Sequence, residues 1–233
     1  MKRLIILFLL FPTLVFAQAS MEFNGTTAMV HVQDNAALDD FAAFSLCIWE
    51  NHDTSGESNS GRIFQKGDQK WFTVSATNDL RMEVTTTSTH AITRTDSDAF
   101  GTNAWHFVCA KYDNGGDRKI DILLNCVEQS YDTEQAATGT MDADDAEYVI
   151  GNYQTAIRTF DGQLAYAHIY DKLITTEECM EIMYKPCSIK DSLQLCTLSG
   201  IEFDQSGNGW TFTHTSTSDN SDGPTVQLTG GSR

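Results

Sequence analysis

The chain has 233 residues, and its 15 Lys and Arg against 32 Asp and Glu give a formal net charge of −17. This excess of acid argues against a protein that binds nucleic acid, because phosphate-backbone binding needs a basic surface. The hydrophobic content of 41% suffices for a packed core and argues against a disordered chain. At about 100–200 residues per domain, the length permits one large or two small domains.

The first 19 residues have the pattern of a secretory signal peptide. Lys2 and Arg3 form a basic start, and residues 4–16 are an apolar run. That run is shorter than the ~20 residues that a membrane-spanning helix needs. Ala17 and Ala19 both offer cleavage after a small residue. We therefore predict a secreted protein (extracellular, on the cell surface or periplasmic) without membrane insertion.

The chain has six cysteines, none of them in a Cys-x-x-Cys pair. They are Cys47, Cys109, Cys126, Cys179, Cys187 and Cys196. In an oxidising compartment an even number of cysteines favours disulfides over zinc ligands. Six cysteines permit 15 pairings, and their spacing alone does not choose among them.

Apolar and polar residues alternate through much of the chain. Ile120, Ile122 and Leu124 share one face of a strand, and residues 106–112 and 164–170 alternate in the same way. Turn signals rich in Gly, Asn and Asp separate these short runs. Many short strands between turns predict an all-β fold, either a sandwich or a barrel.

One short helix is predicted among the strands. Thr175 offers an N-cap hydroxyl, and Glu178 stands at the spacing of a capping box. The apolar residues on one face of this segment are Cys179, Ile182 and Met183. Pro186 ends the pattern, so we expect a helix near residues 175–184.

Four blocks of sequence stand in the order of a known family. They are M-E-F-N-G to V-H-V (21–32), F-S-L-C-I-W (44–49), W-H-F-V to Y-D with I-D-I-L-L-N (105–125), and Y-V-I-G-N through F-D-G and I-Y to the helix (148–184). Over residues 21–184 the chain resembles a laminin G-like domain of the concanavalin A-like jelly-roll superfamily. The resemblance implies a two-sheet antiparallel jelly-roll sandwich with one short helix.

The C-terminal part has an unusual place in this pattern. Residues 193–195 and 204–209 resemble the opening of such a domain, yet here they close it. The first and last strands of a jelly roll lie side by side, so a circular shift of chain order costs little. We expect one domain over residues 20–228, with 188–228 supplying edge strands, and a flexible tail over 229–233. The alternative is a partly disordered polar tail.

The resemblance also implies one disulfide. Pentraxins, of the same superfamily, join the two strands that correspond to those of Cys47 and Cys109, and closing such a loop contributes ~4 kcal/mol in the chain-entropy model. For the closing segment, Cys187–Cys196 and Cys179–Cys187 both stay open. The acids and amides that hold calcium in pentraxins are not reproduced at residues 152–155.

Laminarinase-type glycoside hydrolases share this fold and need paired carboxylates in an E-x-D-x-x-E run, about 5–5.5 Å apart for retaining chemistry. No such run occurs, and Glu202-Phe203-Asp204 is the nearest approach. The sequence also lacks G-x-S-x-G and H-x-x-x-H motifs. His106 fits the family pattern as a strand residue. We therefore expect no catalytic residue and no enzyme activity.

Calcium is the cofactor that the sequence suggests. Asp204, Ser206 and Asn208 offer hard oxygen ligands in a loop that ends at Gly209, and Asp161 of the Phe-Asp-Gly motif could complete the set. Similar loops in laminin G-like domains hold structural calcium. The acids at 142–145 are a second candidate. Asx-turns without an ion are the alternative, because these residue types favour turns in any case.

Tryptophans are the candidate ligand-binding residues, because sugars stack on aromatic faces. Trp49, Trp71 and Trp105 are the candidates, and Trp71, near a turn, is expected to be the most exposed. Core packing is the alternative for Trp49 and Trp105. The sequence favours an exported, non-catalytic binding or adhesion module for a glycan or an extracellular protein, with homo-oligomers permitted. A self-assembling surface, fibre or virion protein and a glycoside hydrolase of the same fold are the alternatives.

Overall fold

The computed structural model describes residues 19–143, 145–198 and 203–224. Outside these ranges lie residues 1–18 of the predicted signal peptide, Glu202 and the 229–233 tail. The first half of the strands, in chain order, is β1 (Ser20–Asn24), β2 (Met29–Val32), β3 (Ala43–His52), β4 (Ser60–Lys66), β5 (Lys70–Ser75), β6 (Leu80–Val84), β7 (Ala91–Thr95) and β8 (His106–Asp113).

The second half of the strands and one helix complete the order. They are β9 (Ile120–Leu124), β10 (Val127–Glu128), β11 (Tyr131–Gln135), β12 (Tyr148–Ile150), β13 (Asp161–Tyr170), α1 (Thr176–Tyr184), β14 (Leu193–Leu198), β15 (Phe203–Asp204), β16 (Phe212–Thr215) and β17 (Ser218–Asn220). Within the described residues, α1 is the only α-helix.

The strands form two antiparallel sheets. The first sheet runs β10-β9-β8-β3-β13-β1-β17, with β14 and β15 attached beside β13, and the second runs β11-β7-β6-β5-β4-β12-β2-β16. The main core lies between them and contains inward residues of both, such as Leu46 and Ile48 from β3 and Phe64 and Phe72 from β4 and β5. The predicted all-β, two-sheet antiparallel sandwich with one short helix is confirmed.

The helix begins and ends where its local chemistry dictates. The Thr175 hydroxyl accepts from the Glu178 N–H, and the Glu178 carboxylate accepts from the Thr175 N–H, so both halves of the predicted capping box are present. The side chains of Cys179, Ile182 and Met183 are buried, and each apolar side chain buried in this way stabilises the docked helix by roughly 2 kcal/mol.

The helix covers the outer face of the first sheet. Side chains alternate along a strand, so Cys47 points away from the main core that its neighbours Leu46 and Ile48 enter. A second apolar cluster lies on this outer face and joins sheet, helix and closing segment. It contains Cys47, Phe107, Cys109, Leu123, Cys126, Tyr170, Ile174, Cys179, Ile182, Met183, Cys187, Leu193 and Cys196. We call this surface the sealed face.

The closing segment supplies strands beside the first ones. β14 pairs with β13, β16 pairs with β2, and β17 pairs with β1. Both sheets therefore contain strands from the two ends of the domain, as a circularly shifted jelly roll requires. Residues 199–202, which lie between two of these strands, are outside the described ranges.

All six cysteines are bonded in pairs. Cys47 and Cys109 face each other across β3 and β8 with Cα atoms 4.1 Å apart, so the disulfide implied by the pentraxin resemblance is confirmed. Cys126–Cys179 ties the β9–β10 turn to α1, and Cys187–Cys196 ties the segment after α1 to β14. Bonded cysteines are the form that oxidising compartments favour. Among the described residues, no helix is both long and apolar enough to cross a membrane.

Candidate functional site

The outer face of the second sheet carries polar and aromatic side chains in two rows. One row follows the register Arg62, Thr73, Arg81 and Arg94 across β4 to β7, and the next follows Gln65, Trp71, Glu83 and Ile92. Residues directly opposite one another in antiparallel strands point to the same side of the sheet. We call the surface formed by Arg62, Trp71, Arg81, Glu83 and Arg94 the Arg–Trp face.

Two arginines of this face have carboxylate partners. Arg81 Nη2 lies 2.6 Å from Glu83 Oε2, and His90 Nδ1 lies 3.0 Å from Glu83 Oε1. Arg94 forms a two-pronged contact with Asp79, with Nε 3.0 Å from Oδ1 and Nη2 2.7 Å from Oδ2. Such forked pairs fix the guanidinium plane.

The bidentate contact with Arg94 also lowers the pKa of the Asp79 carboxyl group. Desolvation raises the pKa of this carboxyl group, but the hydrogen bonds from Arg94, Thr77 and Ser75 outweigh it, so the pKa lies below its ordinary value. The direction of the Arg94 pKa, raised by its hydrogen bond to Asp79, agrees. Asp79 is therefore ionised at neutral pH and unable to donate a proton as a catalytic acid would.

Arg62 differs from its neighbours. Its guanidinium carbon lies 5.1 Å from the centroid of the Trp71 ring, which is a cation–π distance. Its Nη1 is 3.4 Å from the Ser60 hydroxyl, and its buried Nε has no hydrogen-bond partner among the described residues. Burial is the main cause that lowers the pKa of Arg62 to about 10, and nearby Arg158 and Arg81 lower it further.

A loop after β12 borders this arginine. Asn152 is fully buried and organises the loop: its Nδ2 donates to Ala28 O and Thr159 Oγ1, and its Oδ1 accepts from the N–H groups of Tyr153 and Arg158. The Arg62 N–H in turn donates to the Arg158 carbonyl at 2.9 Å. The loop therefore holds Arg158 beside Arg62.

The same loop covers part of the second sheet. The Tyr153 hydroxyl donates to Asp68 Oδ1 at 2.7 Å, so the loop reaches the turn between β4 and β5. Gln65 and Val149 are opposite each other in the register, and both are buried although their neighbours Phe64 and Ile150 fill the main core. The exposed part of the outer face is consequently the part over β5, β6 and β7.

The three candidate tryptophans do not meet. Trp49 is half-buried on the sealed face, where its ring centroid lies 5.4 Å from that of Phe107 and its buried Nε1 has no partner among the described residues. Trp105 lies just before β8 and two residues before Phe107, a spacing that places both side chains on the same side of an extended strand. Trp71 lies on the outer face of the other sheet. Only Trp71 has charged side chains of the Arg–Trp face around it.

The Asp204 loop is a compact turn held by its own carboxylate. Asp204 Oδ1 accepts from the Ser206 N–H at 2.8 Å, and Oδ2 accepts from the Ser206 hydroxyl and the Gly209 N–H, both at 2.8 Å. The Asn208 amide donates to the Gln194 carbonyl at 2.8 Å. These contacts are those of an Asx-type turn, and the oxygens that an ion would need already accept hydrogen bonds.

The register separates Asp161 from this loop. Asp204 pairs with Thr197, whose hydroxyl accepts from the Ala167 N–H, whereas Asp161 starts β13 and pairs with Asn24. Six residues along a strand span about 20 Å at ~3.3 Å per residue. Asp161 instead accepts a hydrogen bond from Thr54 at 2.6 Å. The expected ligand set of four is therefore not brought together, and Asp144 of the second candidate lies outside the described residues.

A buried carboxylate lies between two histidines at one end of the main core. Glu50 is fully buried, with Oε2 2.9 Å from His52 Nδ1 and Oε1 3.1 Å from His106 Nδ1. The Phe100 ring packs against both imidazoles, with centroids 4.8 and 5.2 Å away. Glu50 and His52 have no exposed surface, so the Glu50 carboxylate and the His52 imidazole lie inside the sandwich, away from a polymer outside.

Sequence reasoning missed Arg62, Arg158 and Tyr153. Arg62 lies in β4, and in a chain with 15 Lys and Arg an arginine on the outer side of a strand is a usable signal. Its neighbours could not be read from the sequence, because the register of β4 and β5 shifts between Arg62 and Phe64. Arg158 comes from a loop whose path depends on buried Asn152.

This architecture defines a class, the concanavalin A-like sandwich. Residues 24–179 match the Laminin G 3 family model, described as the concanavalin A-like lectin/glucanases superfamily. The chain belongs to this family, and its laminin G-like resemblance is confirmed. A comparison with curated protein sequences gave no match.

Solved structures share the fold at low identity. One is a candidate carbohydrate-binding protein from Bacteroides ovatus, with a TM-score of 0.68 and 16% identity over 87% of this chain and 59% of that one. Another is a heptameric SAP-like pentraxin from Limulus polyphemus, at 0.53 and 15% over 80% and 97%. A third is domain 4 of an extracellular arabinanase from Geobacillus stearothermophilus in complex with arabinotriose, at 0.52 and 14% over 70% and 75%.

Proposed function

We propose that this protein is an exported, non-catalytic glycan-binding module, and that the Arg–Trp face is its binding surface. One observation carries the proposal. The outer face of the first sheet is sealed by α1, whereas the outer face over β5 to β7 stays accessible and carries Trp71 among charged side chains. The exposed fractions of Arg81, His90 and Arg94 there are 39%, 40% and 33%.

The chemistry of this face suits a sugar polymer. Glycans present ring faces and hydroxyl groups, and Trp71 offers apolar area while the guanidiniums offer hydrogen-bond donors. Two fold neighbours support the choice, since one is described as a candidate carbohydrate-binding protein and the other is a domain in complex with arabinotriose.

Absence of catalysis is part of the proposal. Two carboxylates on or beside this face, those of Glu83 and Asp79, are each held by an arginine, and the pKa of Asp79 is lowered. A glycosidase needs one carboxyl group whose pKa is raised so that it can donate a proton. Export is supported by the three disulfides and by the signal-peptide pattern of the sequence.

The test measures glycan binding of two matched tryptophan variants. The mature chain is screened on a glycan array, and the best ligand is titrated by calorimetry against wild type, Trp71→Ala and Trp105→Ala. We expect Trp71→Ala to weaken binding at least about fivefold, since truncating a residue that carries binding costs more than ~1 kcal/mol, and Trp105→Ala to leave Kd within about twofold.

The reverse result, with affinity lost in Trp105→Ala and kept in Trp71→Ala, moves the site to the sealed face and contradicts the proposal. Release of reducing sugars from the bound glycan contradicts its non-catalytic part. Circular dichroism and thermal melting of each variant separate lost binding from lost folding.

A further inference from the structure

Four arginines lie on or beside the Arg–Trp face in a chain that has more than twice as many acidic as basic residues. Arg62, Arg81 and Arg94 lie in one cross-strand row, and Arg158 is joined to Arg62 through a backbone hydrogen bond of 2.9 Å. Neighbouring guanidinium groups repel one another unless carboxylates or a ligand neutralise them.

Carboxylates neutralise only two of the four. Arg81 pairs with Glu83, and Arg94 pairs with Asp79. Within the described ranges, Arg62 and Arg158 form no salt bridge: Arg62 lies over Trp71, and Arg158 Nη1 donates to the carbonyl of Ile157, its own neighbour in the chain. The two guanidiniums without a carboxylate partner thus belong to residues that a backbone hydrogen bond joins, and the charge of Arg158 acts on Arg62.

The environment of Arg62 disfavours its positive charge. Burial, followed by the charges of Arg158 and Arg81, lowers the pKa of Arg62 to about 10, against the smaller opposing effects of Glu83 and Tyr153. The group is still charged at neutral pH. A partly desolvated cation beside two others gains strongly from a bound anion, since the anion restores the lost Coulomb energy at low local polarity.

We propose that the ligand of the Arg–Trp face is an anionic glycan, and that Arg62 and Arg158 hold a carboxylate or sulfate group of the sugar chain beside Trp71. This inference rests on the proposed function. A planar guanidinium binds carboxylate and sulfate oxygens through paired N–H groups, which a lysine cannot imitate. Trp71 fixes the Arg62 plane and so prepares one side of the site.

The overall charge limits how acidic the glycan is. At −17 the protein repels a dense polyanion at long range, and that repulsion is screened beyond about 10 Å at 0.1 M salt whereas contact ion pairs persist. The face therefore suits a glycan with isolated acidic substituents on a neutral backbone. It does not suit nucleic acid, which carries a charge on every phosphate.

The experiment compares ligands that differ only in the acidic group. Glucuronoxylan is titrated against its carboxyl-reduced form, and sparsely sulfated dextran against unsubstituted dextran, in 0.1 M NaCl. We expect one acidic polymer of the two pairs to bind at least tenfold more tightly than its neutral partner. The pair that shows the difference tells whether a carboxylate or a sulfate is the recognised group.

Variants assign the effect to the two arginines. We expect Arg62→Gln and Arg158→Gln to remove at least tenfold of the preference for the acidic polymer, and Arg62→Lys to restore part of it. Lys111→Gln, which removes one positive charge from the first sheet, serves as the control and should leave the preference unchanged. Thermal melting of each variant verifies that it folds.

Three results overturn the inference. Equal binding of the acidic and neutral partners contradicts the anionic ligand but leaves the glycan-binding proposal intact. A preference that survives in Arg62→Gln and Arg158→Gln places the acidic site elsewhere. Binding of no glycan, in these pairs or on the array, defeats the proposed function together with the inference.

Discussion

The sealed face and the Arg–Trp face are the outer faces of the same sandwich, and they have opposite chemistry. On the sealed face, disulfides and apolar side chains join the first sheet to α1, and His168 is fully buried there with its pKa lowered to about 4, mainly by desolvation. On the Arg–Trp face, Arg81 and Arg94 pair with the carboxylates of Glu83 and Asp79 and stay partly exposed to solvent.

The difference predicts whether a substitution on each face should change stability or ligand affinity. A face that is covered contributes to the free energy of unfolding, and a face that is open contributes to ligand affinity. Changes on the sealed face should therefore lower stability and leave Kd unchanged in any variant that still folds. Changes on the Arg–Trp face should do the reverse.

The largest effect is expected from removing the disulfide under the helix. Cys126 and Cys179 are separated by 53 residues, and Cys187 and Cys196 by nine. In the chain-entropy model the longer loop is worth about 4 kcal/mol and the shorter about 2.5 kcal/mol. The Cys126→Ala/Cys179→Ala double variant should thus lose more unfolding free energy in guanidinium than Cys187→Ala/Cys196→Ala.

Glycan affinity should be the same in both double variants. A change of Kd by more than about threefold in either variant, with the fold retained by circular dichroism, would show that the sealed face takes part in binding and would break the comparison.

A smaller effect is expected from acid. Because the pKa of His168 is lowered in the folded protein from 6.5 to about 4, the unfolded chain binds more protons between these pH values. Stability is therefore complete above pH 6.5 and falls as the pH drops towards 4. At 1.36 kcal/mol per unit, the loss is on the order of 2–3 kcal/mol.

Matched histidine variants isolate this effect. His168→Gln keeps an acceptor for the Cys187 N–H, which donates to His168 Nε2 at 3.3 Å. This variant should lose less unfolding free energy than wild type as the pH falls. His90→Gln, from the 40% exposed His90 of the other face, should not. Parallel pH profiles of wild type and His168→Gln, measured by denaturant unfolding, would exclude His168 as the cause.

The smallest effect is expected from calcium, which remains a proposal for the Asp204 loop with Ser206 and Asn208. Extracellular sites bind with Kd values of ~10⁻⁴–10⁻³ M, and a tenfold excess over Kd adds about 1.4 kcal/mol. For a domain of this size the melting temperature should rise by about 3–5 °C. Asp204→Asn should remove the increment, and Asp161→Asn should keep it. A melting temperature that changes with neither EDTA nor 10 mM Ca²⁺ would contradict a calcium site in this loop.

Local patterns of the sequence predicted the fold well. The capping box of Thr175 and Glu178 lies within four residues, so its outcome depends on neighbours that the sequence displays. Strand alternation likewise separates Leu46 from Cys47 without any knowledge of partners. The Cys47–Cys109 bridge came from a family resemblance, and the Cys126–Cys179 pair was not anticipated because it depends on where α1 docks.

The candidate site depended on long-range geometry and was predicted only in part. Trp71 was expected to be exposed because a turn lies beside it, and the structure leaves it half-buried among charged groups. Its contact with Arg62 arises from the bulged register of two strands. Asp161 and Asp204 have suitable chemistry for one ion, but the length of β13 separates them, and no sequence spacing reveals that length.

The pairing of the last strands with the first ones governs when folding can finish. Ser20 pairs with Asn220, and Met29 pairs with Thr215, so the outermost contacts of both sheets join residues nearly the whole domain apart. Long-range pairing of this kind carries a large loop-closure entropy and places such folds in the millisecond-to-second range of folding times. Until residues 212–220 have been synthesised, β1 and β2 each keep one unpaired edge. A nascent chain of this protein therefore exposes two open strand edges until its last strands pair, and edges of this kind favour aggregation during that interval.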